Sequence, residues 1–192
     1  MQSGRTVLEV GCGVGLDSYA MVQLGLNLTA IDLTEVGVTT AARRFRRESV
    51  PGRFLVSDAE QLPFTAASFD YVYSFGVLHH AADTAACIRE VHRILRPSGE
   101  ARLMLYHRHS LNELVHRITG APLEEKEELC PVVRRYTRAE AMALCQNFSK
   151  VDVGVDHLFG EGYGPLFRLT PWWLYRALSR TIGWHLMILA VK

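Results

Sequence analysis

A glycine-rich run follows a short apolar run near the start of the chain. Residues 6–10 (TVLEV) are mostly apolar or β-branched, as in a buried strand, and residues 11–15 (GCGVG) come directly after them. Glycines let the backbone turn sharply at the end of a strand and place no Cβ in the way of a ligand. By itself this pattern is weak evidence, because any tight turn between a strand and a helix can use it.

Two acidic residues also stand at the ends of apolar runs. Asp32 follows residues 27–31, and Asp58 follows residues 53–57. In an open parallel sheet, ligands bind beyond the carboxyl ends of the strands, where the Asp32 carboxylate can accept both hydroxyl protons of an adenosine ribose. The Asp58 carboxylate can accept from an adenine amino group, while the backbone N–H of Ala59 meets a ring nitrogen. The alternative, in which both aspartates only cap the following elements, stays open.

Aromatic and imidazole side chains follow two later strands. His79 and His80 come after the fourth predicted strand, and Tyr106, His107 and His109 end or follow the fifth. A positioned histidine can take the proton of a reacting hydroxyl, which typically contributes about 10²–10⁴-fold in rate. We therefore take His79 as the candidate catalytic base. A packing or capping role for His79, and a polar loop rim after the fifth strand, are the alternatives.

Strands and helices alternate along the chain, and this alternation predicts an α/β fold with a mainly parallel sheet and helices on both faces. Capping-box patterns predict two late helix starts, at Ser110 with Glu113 and at Thr137 with Glu140. The predicted strands are residues 6–10, 27–31, 53–57, 69–74, 101–106, 150–155 and 184–191, and the earlier predicted helices are residues 15–24, a helix capped by Thr34, and residues 84–95.

The composition is that of an ordinary globular protein, with 192 residues, 48% of them hydrophobic, and a net charge of +1. This length suits one domain, residues 1–192. The balanced charge argues against a nucleic-acid partner. The four cysteines form no C-x-x-C pair, so neither a metal site nor a disulfide framework is expected. With no membrane-spanning apolar run and no signal peptide, we expect a cytoplasmic protein of open oligomeric state.

Four short runs between residues 9 and 99 carry a family resemblance. They are residues 9–15 (EVGCGVG), residues 58–64 (DAEQLPF) with 68–70 (SFD), residues 78–80 (LHH), and residues 95–99 (LRPSG). The first run resembles the first motif of class I S-adenosylmethionine-dependent methyltransferases, and the other three resemble the small-molecule branch of that class. Together these matches cover about residues 5–106 in the expected order and spacing, which makes them jointly specific.

The resemblance implies a Rossmann-like sheet of seven strands in the order 3-2-1-4-5-7-6, with the last strand antiparallel. It also implies S-adenosyl-L-methionine as the cofactor, lying over strands one to four. In that arrangement Asp32 holds the ribose and Glu9 steadies the glycine loop, while His79 is the catalytic candidate. The expected cofactor-binding residues are Glu9, Gly11, Cys12, Gly13, Gly15, Asp32, Leu33, Asp58, Ala59, Glu60, Ser74, Phe75 and Gly76.

The chain departs from the family pattern at two places. Ser98 stands where a second glycine is usual before the fifth strand, and we expect this to cost little. Family members usually carry a helical segment before the first strand that closes over the cofactor, whereas here the first strand begins almost at Met1. Weak cofactor binding, an incomplete gene start, and a replacement cover from the C-terminal half are the three interpretations that stay open.

Two segments fit the alternation of elements poorly. Residues 120–136 include the mixed charge run 124–128 (EEKEE), and residues 156–183 include Trp172, Trp173 and Tyr175. Because long irregular connections in a compact domain are often functional, we expect acceptor-site or lid insertions within residues 107–183. The charge run is otherwise a solvated surface. The aromatic stretch is otherwise core or lid packing, or a contact with a membrane surface.

The function predicted from the sequence is methyl transfer from S-adenosylmethionine to a small-molecule acceptor by in-line displacement. A catalytically inactive or partner-dependent cofactor-binding module is the main alternative. An NAD-dependent oxidoreductase is disfavoured, because Leu16 stands where its fingerprint needs glycine or alanine. Residues 74–77 (SFGV) lack the N-P-P-Y pattern of base-flipping enzymes, so no nucleic-acid partner is expected. The methylated atom stays open.

Overall fold

The strands and helices follow the order expected from the alternation of apolar runs and turn residues. The computed structural model describes residues 1–120, 132–159 and 168–192. The strands are β1 (Thr6–Val10), β2 (Asn27–Asp32), β3 (Arg53–Val56), β4 (Phe69–Phe75), β5 (Leu95–His107), β6 (Arg135–Tyr136), β7 (Lys150–Asp156) and β8 (His185–Val191). The helices are α1 (Leu16–Gln23), α2 (Glu35–Arg47), α3 (Thr84–Ile94), α4 (Leu111–Thr119), α5 (Arg138–Leu144) and α6 (Trp172–Ile182), with a 3₁₀ turn at Leu78–His80.

The eight strands of the described residues form a single sheet. Its order is β3-β2-β1-β4-β5-β8-β7, and the two-residue strand β6 pairs with the end of β5. Strands β1 to β5 are parallel to one another, whereas β8 runs antiparallel to both β5 and β7. With β6 set aside, this is the predicted order 3-2-1-4-5-7-6 with an antiparallel last strand, so the predicted fold class is confirmed.

Helices cover both faces of the sheet. Successive side chains of a strand point to opposite faces, so the apolar residues of one strand can pack against helices on either side. In β1, Leu8 and Val10 belong to the larger buried cluster, together with Ile88 of α3. Val7 belongs to a second cluster with Phe45 of α2. The near-continuous apolar sequence of β1 therefore reflects burial on both sides.

Strand β5 is longer than the sequence predicts, since it begins at Leu95 rather than at residue 101. Phe69 pairs with Leu95, and the next pair is Tyr71 with Glu100, so an irregular stretch lies between the two. Ser98 lies in this stretch with a φ of 64°, which explains why glycine suits the position.

The two predicted capping boxes form to different extents. Thr137 and Glu140 make the complete reciprocal pair at the start of α5. At the start of α4, the Ser110 hydroxyl accepts the N–H of Glu113 at 3.1 Å, but the Glu113 carboxylate bonds Arg117 and Arg135 instead of returning to the cap. The ion pairs of Glu113 with Arg117 and Arg135 therefore replace one of the two hydrogen bonds of the capping box.

Parts of the two poorly fitting segments lie outside the described residues, namely residues 121–131, which hold the mixed charge run, and residues 160–167. In the part of the chain that the structure describes, no helix is long and apolar enough to cross a membrane. The same residues contain no group of three or more histidine, cysteine or acidic side chains that could hold a metal ion.

Candidate functional site

A crevice of about 450 Å³ lies beyond the carboxyl ends of β1, β2, β3 and β4. It is the place where open α/β sheets bind ligands. Seven of the sequence-predicted cofactor residues line it: Gly11, Asp32, Leu33, Asp58, Ala59, Glu60 and Gly76. The structure thus brings together residues that are up to 65 positions apart in the sequence.

The glycine loop forms the floor at the end of β1. The backbone N–H groups of Gly11 and Cys12 both donate to the carbonyl of Ile31, at 2.8 and 2.9 Å, which ties the loop to β2. Gly11 has a φ of +83°, and a Cβ there would come within 2.2 Å of the Val77 side chain. The position therefore requires glycine both for its backbone conformation and for the close approach of the loop after β4.

Asp32 organises the rim of the crevice between β1 and β2. One carboxylate oxygen accepts the N–H of Gly13 at 2.9 Å. The other accepts the N–H and the hydroxyl of Thr34, at 2.9 and 2.7 Å. Because a carboxylate offers about four acceptor positions, one remains for a ligand, and the Thr34 hydroxyl bond can be exchanged for a second.

The wall after β3 carries a second carboxylate. Asp58 accepts the N–H of Glu60 at 2.8 Å through one oxygen. The Glu60 carboxylate accepts the N–H of Asp83 at 2.9 Å, which ties this wall to the start of α3. Leu33 lies on the same crevice and is 71% exposed. This combination offers a hydrogen-bond acceptor and an apolar surface to a flat heterocycle.

Glu9 is buried beneath the glycine loop and does not line the crevice. Burial raises the pKa of Glu9 to about 7, because the hydrogen bond from the Ser18 hydroxyl only partly offsets desolvation, and the charges of Asp17 and Asp32 act in the same direction as burial. Glu9 therefore fixes the loop from below through Ser18 of α1.

The remaining loop residues have positions of different kinds. Cys12 is buried, and burial raises the pKa of its thiol to about 12, so it is a neutral packing residue. Gly13 is exposed, and a Cβ there would meet nothing within 4 Å. Gly15 precedes α1 with a φ of 77°, and a Cβ there would lie 3.0 Å from the Ala41 side chain. These three residues shape the loop without lining the crevice.

Two predicted residues of β4 face away from the crevice. Ser74 is buried and donates its hydroxyl to the carbonyl of Val10 at 3.0 Å. Phe75 packs edge-on against His185, with 5.3 Å between ring centroids, and lines a separate apolar cavity with Met187. Only Gly76, the third residue of this predicted group, borders the crevice.

The predicted catalytic residue His79 lies below the crevice. It is fully buried, and the centroid of its ring lies 3.8 Å from that of Tyr106 and 4.1 Å from that of His80, with both pairs of rings tilted. Burial lowers the pKa of His79 to about 3, and the neighbouring His80 and His185 add to the effect, while the Met104 carbonyl opposes it weakly. Neither ring nitrogen makes a hydrogen bond of good geometry among the described residues. His79 is therefore a neutral, packed imidazole.

His80 is the imidazole that lines the crevice. Its Nδ1 lies 2.8 Å from the carbonyl oxygen of Val132, so in the neutral ring this nitrogen carries the proton. The sequence reasoning favours His79 of this pair, whereas the 3₁₀ turn at Leu78–His80 brings His80 to the crevice lining.

The candidates after β5 are also separated by the structure. Tyr106 packs between His79 and Trp184, at 3.8 and 4.2 Å between ring centroids. His107 is buried, with Nδ1 2.9 Å from the carbonyl of Gly183, whereas His109 is exposed at the rim of a neighbouring cavity. None of these three residues lines the crevice.

The aromatic residues near α6 lie on the surface. Trp172 and Trp173 are 68% and 71% exposed, and Tyr175 donates its hydroxyl to the carbonyl of Phe159 at 3.1 Å. They do not line the crevice among the residues described.

Sequence reasoning missed the apolar and backbone part of the crevice lining: Val10, Ile31, Thr34, Ser57, Val77, Leu78, Ala81 and Ala82. Val10 and Ile31 are the last apolar residues of their strands, a signal that was present in the sequence. The others belong to loops whose conformation depends on tertiary contacts, such as the approach of Val77 to Gly11.

Comparison with known proteins assigns the chain to a family. The methyltransferase domain family matches residues 8–103, which is half of the chain. A ubiquinone biosynthesis O-methyltransferase of Pseudomonas paraeruginosa is 38% identical over 111 residues, covering 55% of this chain and 46% of that protein. The chain thus spans about half the length of this curated relative.

Solved structures share the fold over the whole chain. A SAM-dependent methyltransferase of Methanosarcina mazei has a TM-score of 0.75 at 21% identity, covering 100% of this chain and 94% of that one. Phosphoethanolamine N-methyltransferase 2 of Haemonchus contortus, solved in complex with S-adenosyl-L-methionine, has a TM-score of 0.71 at 19% identity, covering 100% of this chain and 49% of that one. From the match over residues 8–103 and this common fold, we conclude that the chain belongs to the methyltransferase domain family.

Proposed function

We propose that this protein transfers the methyl group of S-adenosyl-L-methionine to a small-molecule acceptor. The observation that carries the proposal is the crevice, in which Asp32, Asp58 and Leu33 converge beyond a tight glycine loop. Membership of the methyltransferase domain family supports the same activity. The proposed cofactor-binding residues are those predicted from the sequence. Seven of them line the crevice, and the other six lie outside its lining: Glu9, Cys12, Gly13, Gly15, Ser74 and Phe75.

The residues present fit an adenosine with an attached amino acid. Asp32 has acceptor positions for the ribose hydroxyls, and Asp58 has a second oxygen for an exocyclic amino group. Leu33 supplies the apolar contact for the base. A Cβ at Gly13 would point into open space, which leaves room for the methionine part beside the loop.

The protein's own contribution to the reaction is positioning and exclusion of water. When bound, S-adenosylmethionine would supply an electrophilic methyl group on a sulfonium, whose carbon–sulfur bond breaks as the acceptor bonds the methyl carbon in line. The wall after β4, together with residues within 107–183, holds the acceptor at attacking distance and shields it from water. His80 borders the crevice with its tautomer set by Val132, so it is better placed than His79 to orient an acceptor hydroxyl. The catalytic role predicted for His79 stays a prediction.

The proposed acceptor is a small molecule, and hydroxyl acceptors are the first to screen because the curated relatives are named O-methyltransferases. We propose that residues within 107–183 contribute the acceptor site and that residues 1–192 act as one domain. The net charge of +1 supports an acceptor other than a nucleic acid. The buried, unpaired thiols of Cys12, Cys87 and Cys145 support a cytoplasmic location.

Calorimetric titration of the purified chain with S-adenosylmethionine, S-adenosylhomocysteine and NAD tests the proposal. We expect micromolar binding of the first two and none of NAD. Binding followed by methyl transfer to a screened acceptor supports the enzyme, whereas binding without transfer to any acceptor supports a cofactor-binding module. Absence of binding, or a preference for NAD, would overturn the proposed cofactor.

A further inference from the structure

A second cavity, of about 360 Å³, is lined mainly by arginines. Among the described residues, Arg108, Arg117, Arg134 and Arg135 line it together with a single carboxylate, that of Glu113. We call this cavity the arginine pocket. It lies at the ends of β5 and β6, which are parallel, so it opens at the same edge of the sheet as the crevice.

The arginine pocket has more positive charge than its described acidic partners can neutralise. Glu113 bonds Arg117 at 3.0 Å and Arg135 at 2.9 Å, and Glu140 bonds Arg108 at 2.9 Å. In the part of the chain that the structure describes, two carboxylates therefore face four guanidinium groups. Like charges gathered in one cavity raise its affinity for an anion.

The Glu113 carboxylate holds two of the guanidinium groups in place. Burial opposes its ionisation, but the hydrogen bonds and charges of Arg135 and Arg117 outweigh burial, so the pKa of Glu113 lies below its ordinary value. The Glu113 carboxylate takes one N–H from each of the two arginines, so the other donors of both guanidinium groups are without a partner among the described residues. Arg117 uses only its Nε in this way, and its side chain is 66% exposed.

Backbone carbonyls hold the other two arginines. Arg108 donates Nε and Nη2 to the carbonyl of Arg135, at 3.2 and 2.9 Å. Arg134 donates Nη2 to the carbonyl of Ala82 at 2.6 Å and Nε to that of Ala81 at 3.3 Å. These contacts fix the guanidinium groups before any ligand arrives, which lowers the cost of binding one.

Arg134 also connects the arginine pocket to the crevice. Ala81 and Ala82, which it bonds, line the crevice, and its own backbone N–H donates to the carbonyl of His79 at 2.9 Å. The two cavities therefore share a wall formed by the loop after β4 and residues 132–136.

We propose that the arginine pocket binds an oxyanion group, a carboxylate or a phosphate, of the methyl acceptor. This inference rests on the proposed function, and it narrows the acceptor to an anionic small molecule. Arginine is suited to the task, because its planar fork makes two parallel bonds to either oxyanion. An acceptor anchored there extends along the shared wall toward the crevice.

Anion titration tests the proposal without requiring an acceptor. Inorganic phosphate and benzoate are titrated at constant ionic strength, with chloride as the balancing anion and thermal shift as the readout. We expect both to raise the Tm above the chloride value. Arg117→Gln should weaken the apparent affinity by about tenfold or more, because Arg135 still neutralises Glu113 while the charge-assisted bonds to the ligand are lost.

The matched control is Arg43→Gln, an equal loss of charge at an exposed position of α2. It should bind both anions as the parent does, and both variants should melt at the parent's Tm in chloride. An Arg117→Gln variant that binds both anions like the parent would overturn the proposal.

Two further experiments distinguish the arginine pocket from anion binding in the crevice and from binding to a membrane surface. Repeating the phosphate titration with saturating S-adenosylhomocysteine should leave the anion affinity unchanged, whereas competition would place the anion in the crevice and overturn the proposal. Sedimentation with phosphatidylglycerol vesicles should capture none of the protein, and capture by vesicles without binding of small anions would also overturn it. Failure of the chain to bind S-adenosylmethionine in the separate calorimetric test would refute the proposed function while the Arg117 comparison still reports on the pocket.

Discussion

Asp32 has two roles in the crevice, and both depend on its carboxylate. It accepts hydrogen bonds from Gly13 and Thr34, which set the rim between β1 and β2. It also keeps acceptor capacity for a ligand. A substitution at this residue should therefore remove the proposed ligand contact and loosen the loop that surrounds it.

Asp32→Ala should weaken S-adenosylmethionine binding by about 1–3 kcal/mol, because charge-assisted hydrogen bonds to the ligand are lost. Calorimetry gives the difference directly. Asp152→Ala is the matched control, since Asp152 is an exposed carboxylate of β7 that lies outside the crevice. Equal affinities for the Asp32 variant and the parent would refute the ribose assignment.

His79 and His80 show what a sequence can and cannot tell about single residues. Their position after β4 correctly places both near the ligand end of the sheet. Which imidazole lines the crevice depends on the 3₁₀ turn and on the rings of Tyr106 and Trp184, which come from β5 and the residue before β8. Such contacts have no local signal in the sequence.

At the scale of elements, substitutions at Gly11 and Gly13 of the glycine loop should separate an effect on folding stability from an effect on ligand binding. Gly11→Ala should destabilise the protein by about 2 kcal/mol or more, since a positive φ costs about 1–2 kcal/mol in a residue with a Cβ and the contact with Val77 adds to it. Gly13→Ala should cost less stability, because its φ of +47° carries a similar backbone penalty but its Cβ meets open space. Chemical denaturation of the two variants measures the difference.

The Gly13 variant should instead bind S-adenosylmethionine more weakly than the parent in calorimetry, since its methyl group enters the space beside the loop. Equal stability losses in the two variants would show that the contact between Gly11 and Val77 contributes nothing.

Most elements followed from local patterns, and the exceptions have long-range causes. The strands β1 to β4 follow from apolar runs that end in glycine or aspartate, and α3 from its helical spacing of apolar residues. The first residues of β5 were missed because Pro97 and Gly99 usually end regular structure, whereas Ser98 and Gly99 here exchange hydrogen bonds with Lys192. The incomplete capping box of α4 has a similar origin in Arg135, 22 residues away.

At the scale of the whole molecule, buried imidazoles couple stability to pH. Burial lowers the pKa of His79 to about 3 and that of His185 to about 4. The unfolded chain takes up protons at these residues below a pH of about 6.5, while the folded protein does not. The contribution of these two histidines to the free energy of unfolding is therefore complete above that pH. It is lost as the pH falls toward the folded pKa values.

Glu9 acts in the opposite sense, because its pKa is raised to about 7. Its protonated form favours the folded state at low pH, and this contribution is lost as the pH rises through the folded value. Between pH 5 and 6.5 the effects of the histidines and of Glu9 on the unfolding free energy partly cancel. Variants are therefore more informative than the pH dependence of the parent alone.

His79→Leu should flatten the dependence of the unfolding free energy on pH between 5 and 6.5, by about 1.4 kcal/mol per pH unit at most. Urea denaturation at several pH values measures the slope. His109→Gln, at an exposed position, should leave it unchanged. Parallel curves for the His79 variant and the parent would mean that His79 titrates normally in the folded protein.

The antiparallel strand β8 also constrains the order of assembly. Among the described strands β7 pairs only with β8, and β8 in turn joins it to β5. On the ribosome, β1 to β5 can pair as they emerge. Strand β7 and the edge of β5 that β8 occupies stay unpaired until β8, the last of these three strands to be translated, has emerged. Nascent chains halted before residue 185 are therefore the species in which this edge is open to other chains, and chaperone protection is needed most at that stage.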